Sequence, residues 1–237
     1  MAWCSAGNRP ISIPFAMPLH SPNGNICTAA ENGAATIGEK CCHDYDDRWR
    51  WKLVLAYNGT KYAGWQYQIK PATVQCIVGD ALTKITKLGR KELGLVGASR
   101  TDAGVHAWGQ VAHFTTPFFF DQLESLHAGL NGVLPPDIRV REVAAVKTDF
   151  HARYSALKKT YHYKIYNDAI MDPFQNLYAY HFAHKLNIDV MRQAAKYFIG
   201  QHDFSAFITM SRGGLPTDPR REIFRFDVVK MVTFYLT

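Results

Sequence analysis

The sequence predicts an α+β fold of two consecutive units, each with an antiparallel sheet, the second incomplete. Three observations carry this. Strand and helix periodicities alternate between residues 51 and 146 in the order strand, helix, strand, strand, helix, strand. The same order restarts after Phe150 and stops after strand, helix and strand. The first 47 residues show neither periodicity.

Residues 1–47 are rich in Gly, Asn, Pro, Ala and Ser. They are expected to be a disordered extension or an organellar transit peptide, although they are poor in Arg for the latter. Order should begin near Trp49. Trp51 to Tyr57 is β-branched and aromatic and reads as a strand, closed by the turn signal Asn58-Gly59. Val74, Ile77, Val78, Ala81, Leu82, Ile85 and Leu88 recur at helical spacing, with Thr73 as N-cap and Gly89 just past the end. Leu93 to Ala98 and Gln110 to Thr115 read as strands, Asp121 to Leu130 as a helix and Ile138 to Val146 as a strand. This βαββαβ order is the ferredoxin-like (RRM-like) plan, whose sheet face can carry RNA. In the second unit Tyr161, Tyr163 and Ile165 alternate with His162, Lys164 and Tyr166 in a strand. Met191, Ala194, Ala195 and Phe198 stripe a helix ended by Gly200, and Ile223 to Val232 reads as a strand. The expected divisions are therefore 1–47, 48–148 and 149–237.

A chain of 237 residues with 47% hydrophobic content can bury one large core or two small ones. No apolar run approaches membrane-spanning length. Its 27 basic and 20 acidic residues are unevenly spread. Residues 1–47 hold two bases against five acids, leaving 25 bases against 15 acids in the rest. That excess favours a polyanionic partner through phosphate contacts and counterion release. Cys4, Cys27, Cys41, Cys42 and Cys76 form no CxxC pair and are odd in number. A reducing compartment is expected, with no metal site at Cys41-Cys42-His43.

The chemistry-bearing segment is Arg100-Thr-Asp-Ala-Gly-Val-His-Ala107, a loop between two predicted strands. One reading is an Asx turn with a solvated ion pair of little energetic consequence. The other is catalytic: Gly104 permits a sharp backbone path, and the nearby Arg100 cation keeps Asp102 ionised as a nucleophile or charge stabiliser requires.

These eight residues, followed by Gly109-Gln110-Val111 and His113-Phe114, resemble the catalytic signature of the TruA tRNA pseudouridine synthases of bacterial type. The resemblance also covers Tyr57 to Gln66, Thr73-Val74-Gln75, Asn131 to Ile138, Phe150 to Ser155, Tyr161 to Asn167 and Gly200 to Phe207. It implies an isomerase that converts uridine to pseudouridine in the tRNA anticodon stem-loop, at positions 38 to 40, with tRNA as partner and no cofactor. It also implies a homodimer. The catalytic residue carried over is Asp102, acting as nucleophile at C1′ or by a glycal route. Arg100 would contact the flipped nucleotide's phosphate or support the loop, and Tyr161 would stack on the extruded uracil. Tyr62, Trp65 and Gln66 would build the RNA-facing side of the first unit, with buried packing an equal reading of the aromatic pair, and Lys158 and Lys159 are candidate phosphate contacts. His106, His113 and His151 lie in matched motifs without a catalytic assignment.

The family's Met-Val-Arg signature, whose Arg pairs with the catalytic Asp, is not among the 237 residues. The sequence therefore reads as C-terminally truncated, with little or no activity expected of it alone. A catalytically silent RNA-binding fragment is the alternative reading. A bacterial-type signature behind an N-terminal extension suggests a plastid or mitochondrion, a cytoplasmic protein otherwise.

Overall fold

The computed structural model describes residues 2–6, 48–207 and 218–231. The chain divides into two compact units, Met1–Lys164 and Ile165–Thr237. No described helix is long and apolar enough to cross a membrane. The class is α+β with a largely antiparallel sheet.

The first unit is built on strands β1 (Ala2–Ala6), β2 (Trp49–Tyr57), β3 (Val96–Gly97), β4 (His106–Thr116), β5 (Ile138–Val146) and β6 (Lys159–Tyr163). They form one sheet in the order β5-β2-β4-β1-β6, with β3 paired to β4. All pairings are antiparallel except β1 with β4. In β2 the odd positions Trp51, Leu53, Leu55 and Tyr57 are buried, whereas Lys52, Val54 and Ala56 are only half-buried. That period of two turns one face toward helices α1 (Val74–Thr86) and α3 (Leu123–Val133). Val74, Val78, Leu82, Leu126 and Leu130 close the core with Trp51, Leu53, Leu55, Phe114 and Ile138. On the opposite face Val54 and Phe150 pack on a smaller cluster of Ala98, Val111 and Ala152.

Helix α1 starts where Thr73 accepts the Cys76 N–H (3.3 Å). It stops earlier than expected, because Thr86 Oγ1 donates to the Leu82 carbonyl and accepts from Leu88 N–H, and Lys87 turns left-handed at φ 63°. Gly89 instead opens a short helix α2 (Arg90–Leu93), with its N–H donated to Glu92 (2.7 Å). Gly94 ends it at φ 53°. The strand expected over Leu93 to Ala98 is thus reduced to Val96–Gly97: Arg, Lys, Glu and Leu are good helix formers bracketed by two glycines that cap them. Asn131 of α3 works as a splice, accepting the Val140 N–H (3.0 Å) and donating to its carbonyl (2.9 Å) on the edge strand β5.

The N-terminal stretch expected to lack a fixed fold contributes β1, whose backbone pairs with Lys159 to Tyr163 of β6. Cys27, Cys41, Cys42 and His43 lie outside the described residues.

The second unit contains β7 (Ile165–Tyr166), β8 (Tyr180–His181), α4 (Ile188–Lys196), β9 (Gly200–Asp203) and β10 (Arg220–Ile223). Asn187 caps α4 by accepting from Asp189 N–H and Val190 N–H, both at 3.1 Å. Gly200, at φ 106°, opens β9 rather than closing the helix. The last described strand ends at Ile223, where the sequence reading began it; Val232 lies outside the described residues. Among the described residues of this unit Ala179 and Ala195 are the buried apolar side chains, while Phe174, Tyr197, Phe207 and Phe224 are exposed. Most of the described hydrophobic stabilisation therefore resides in the first unit.

Trp51, fully buried with its Nε1–H donated to Thr116 (2.8 Å), is with Trp65 the largest side chain of the described core. Trp51→Ala should lower the first unit's stability by about 3–5 kcal/mol, read as a fall in the urea midpoint at unchanged slope; a loss under about 1 kcal/mol would show the site to be loosely packed.

Candidate active site

The segment 98–105 leaves β3 and returns to β4, and backbone contacts fix it along its length. At its root Ala98 N–H donates to the Val111 carbonyl (2.8 Å), and Lys159 Nζ donates to the Ala98 carbonyl (3.1 Å). Gln110, buried on β4, donates Nε2–H to the Ser99 carbonyl (2.6 Å). In the middle Trp65 N–H donates to the Thr101 carbonyl (3.0 Å), and Thr101 Oγ1 shares a hydrogen bond with the Tyr57 hydroxyl (2.9 Å). At the tip Val105 N–H donates to the Asp102 carbonyl (3.1 Å) while Gly104 N–H donates to Tyr62 (3.2 Å). Gly104 has φ 77°, the conformation a type II turn requires at its third residue. The outcome is a turn whose flanks are buried and whose Asp102 side chain is exposed.

The facing segment passes so close that side chains are impossible at two points. A Cβ at Gly59 would sit 1.9 Å from the Val105 carbonyl oxygen. One at Gly64, whose φ is 90°, would sit 2.4 Å from the Thr101 carbonyl oxygen. Gly97 likewise makes room for the Trp65 indole, which stacks on Tyr57 with ring centroids 6.2 Å apart. Buried His106 accepts the Gly59 N–H at Nδ1 (3.2 Å), which puts the ring proton on Nε2 and makes the residue a strut of the turn.

Arg100 and Asp102 share this loop, but no ion pair joins them among the described residues. Arg100 Nε donates instead to Gln66 Oε1 (3.0 Å). Tyr62 donates its hydroxyl to Asp137 (2.7 Å); burial, and then the Asp137 carboxylate, push its pKa above the ordinary tyrosine range, which keeps it protonated and structural. Tyr161 is half exposed on β6, two residues beyond the lysine that holds Ala98. Gly64, Thr101 and Gln110 were not singled out as site residues from the sequence. The signal available for Gly64 is its place in the Tyr57 to Gln66 stretch that the family resemblance covers.

On the helix-free face the segment 147–155 folds back over β4. His113 accepts the Ala152 N–H at Nδ1 (3.1 Å), the His151 ring lies 4.8 Å away, and Arg50 donates to the Phe150 carbonyl (2.7 Å). Burial, then the charges of His151 and Arg50, lower the His113 pKa from 6.5 to about 4. The neutral ring is therefore part of the fold and supports Ala152 next to Ala98 at the root of the loop.

A family profile described as tRNA pseudouridine synthase matches residues 53–155. The chain is 44% identical over 179 residues to tRNA pseudouridine synthase A 1 of Protochlamydia amoebophila, covering 75% of this chain and 69% of the relative. It is 38% identical over 192 residues to tRNA pseudouridine synthase A of Limosilactobacillus reuteri, covering 80% and 75%. A Thermoanaerobacter species has a protein of the same name, 43% identical over 182 residues, with 77% and 72% covered.

The linkage at His113 has a definite sign. Its folded pKa lies below its unfolded value, so the unfolded chain binds the extra proton between pH 6.5 and about 4. The stability His113 contributes should be complete above pH 6.5 and fall as pH drops toward 4. Subtracting urea midpoints of His113→Gln, which keeps an acceptor and does not titrate, from those of the parent should reveal that decline; parallel pH profiles would remove His113 as its source.

Proposed function

Because the chain belongs to the TruA family of tRNA pseudouridine synthases, we propose that it isomerises uridine to pseudouridine in the tRNA anticodon stem-loop, at positions 38 to 40, with Asp102 as nucleophile. The observation that carries this reading is an exposed carboxylate on a turn whose neighbouring backbone is anchored on both sides. Anchoring of this kind removes the entropy of positioning before substrate arrives.

The reaction is redox-neutral. The N1–C1′ bond breaks with its electron pair moving to the uracil, and oxocarbenium-like charge develops at C1′. A carboxylate oxygen of Asp102 bonds to C1′. The uracil then turns so that C5 attacks the same carbon, and the C1′–O pair returns to the carboxylate. The proton lost from C5 is balanced by the one gained at N1, so atoms and charge close without a metal or redox group. The target nucleotide must leave its stack to be reached. Tyr161, half exposed, offers a ring on which the extruded uracil can stack. Arg100 is held through Nε by Gln66, which leaves its terminal nitrogens for a phosphate.

Residues 48–148 are assigned the catalytic and RNA-binding role and 149–237 the C-terminal half. On this reading both follow the ferredoxin-like plan and the working form is a homodimer. The first-unit order β5-β2-β4 with β3 beyond β4 supports that plan.

With enzyme in large excess over an anticodon stem-loop transcript, so that even slow conversion by the 237-residue chain is read, Asp102→Asn should reduce the rate of pseudouridine formation at least about 1,000-fold, roughly 4 kcal/mol of transition-state stabilisation, with RNA affinity retained. Parent-like conversion by Asp102→Asn would remove Asp102 from the nucleophile role.

A further inference from the structure

Gln66 and Arg100 come from segments 34 residues apart and meet where Arg100 Nε donates to Gln66 Oε1 (3.0 Å). Both side chains are exposed. Holding two long exposed side chains in one geometry costs rotamer freedom, so such a bond is ordinarily loose. Here the mount of Gln66 is rigid. On one side of it Trp65 N–H donates to the Thr101 carbonyl (3.0 Å), and the Trp65 carbonyl accepts from Gln75 N–H (3.1 Å). On the other, Tyr67 N–H donates to Gln75 Oε1 (2.9 Å). Gln75 belongs to the first turn of α1, and its Nε2–H is donated to the Leu95 carbonyl (2.7 Å). The backbone around Gln66 is thus tied both to the loop that carries Arg100 and to a helix.

The chemistry of the acceptor matters as much as its place. A guanidinium offers a side-on edge that includes Nε and an end-on fork made of its two terminal nitrogens. Gln66 takes Nε, and among the described residues no hydrogen bond or ion pair involves either terminal nitrogen of Arg100. A carboxamide oxygen does this without bringing charge, whereas a carboxylate at the same point would neutralise the cation. The open fork and the full charge suit a phosphate, which a guanidinium binds through two parallel hydrogen bonds. We propose that Gln66 is a positioning residue: it aims the Arg100 fork and leaves its charge uncompensated for the phosphate beside the target uridine. The inference rests on the tRNA reading above, in which Arg100 meets a phosphate. What it adds is the residue that sets the direction and the charge of that contact.

The test is equilibrium binding of an anticodon stem-loop RNA to the full chain as salt is raised. Arg100→Gln, which removes one phosphate contact, should reduce the slope of log K against log salt by about 0.7–0.9. Gln66→Glu keeps the acceptor and adds a charge. It should lose about the same slope, weaken binding about tenfold, and add little to Arg100→Gln in the double variant. Gln66→Met removes the acceptor without adding a charge. It should weaken binding about 3- to 10-fold at unchanged slope, as expected when one long side chain must be immobilised on binding. Melting temperatures should match the parent's, since both side chains are exposed. The parent slope in Gln66→Glu, the parent affinity in Gln66→Met, or losses that add in the double variant would overturn the positioning role alone. The parent slope in Arg100→Gln would remove the phosphate contact and with it the role of Gln66. Absence of RNA binding by the parent chain overturns the functional reading as well.

Discussion

The structure depends on one close crossing of two backbones. The chain from Tyr57 to Gln66 runs against Thr101 to His106 at a separation that excludes a side chain at Gly59 and at Gly64. Among the described residues, hydrogen bonds bind the crossing from Trp65 to Thr101, from Gly104 to Tyr62 and from Gly59 to His106, and between the Tyr57 and Thr101 hydroxyls. Each is worth only about 1 kcal/mol net, but a buried donor or acceptor left unpaired costs about 1–3 kcal/mol. The crossing is therefore specific more than it is strong. Its function is to hold one turn in one shape.

Stability comes from elsewhere. Trp51, Trp65, Phe114, Leu53, Leu55 and Leu82 are essentially inaccessible to solvent, and each contributes on the order of 1.5–3 kcal/mol by burial. Ion pairs such as Lys52 with Glu142, or Arg192 with Asp189, have exposed partners and each add at most about 1 kcal/mol. The core on the helix side sets β2 and β4 in register, and register decides that Asp102 emerges at the β4 end of the loop. On the other face neutral His113 and the 147–155 segment brace Ala98.

Much of this is legible in the sequence because it is written in short-range patterns. The period-two burial of Trp51 to Tyr57, the Thr73 cap and the helix through Leu82 are all local. Gly89 and Gly94 show the limit. In the sequence Gly89 reads as the stop of a helix and Gly94 falls inside an expected strand, but the two cap a helical turn once Glu92 reaches back to Gly89. The Asp102 turn is visible as a motif, but its partners are not. The Thr101 hydroxyl meets Tyr57 across 44 residues, and Arg100 meets Gln66 across 34. A cation two residues from a carboxylate suggests a pair, yet a glutamine from a distant segment takes the guanidinium. Pairing of β1 with β6 spans still more of the chain, and no periodicity in Ala2–Ala6 announces it.

The central claim is that the crossing at Gly64 holds Asp102 in working position. Gly64→Ala puts a methyl 2.4 Å from the Thr101 carbonyl oxygen at a backbone angle unfavourable to L-residues. The informative measurement is its single-turnover rate of pseudouridine formation beside its affinity for the same stem-loop RNA. The account predicts a rate at least about tenfold lower, about 1.4 kcal/mol, with affinity close to that of the parent. A folded Gly64→Ala protein that converts uridine at the parent rate would contradict it.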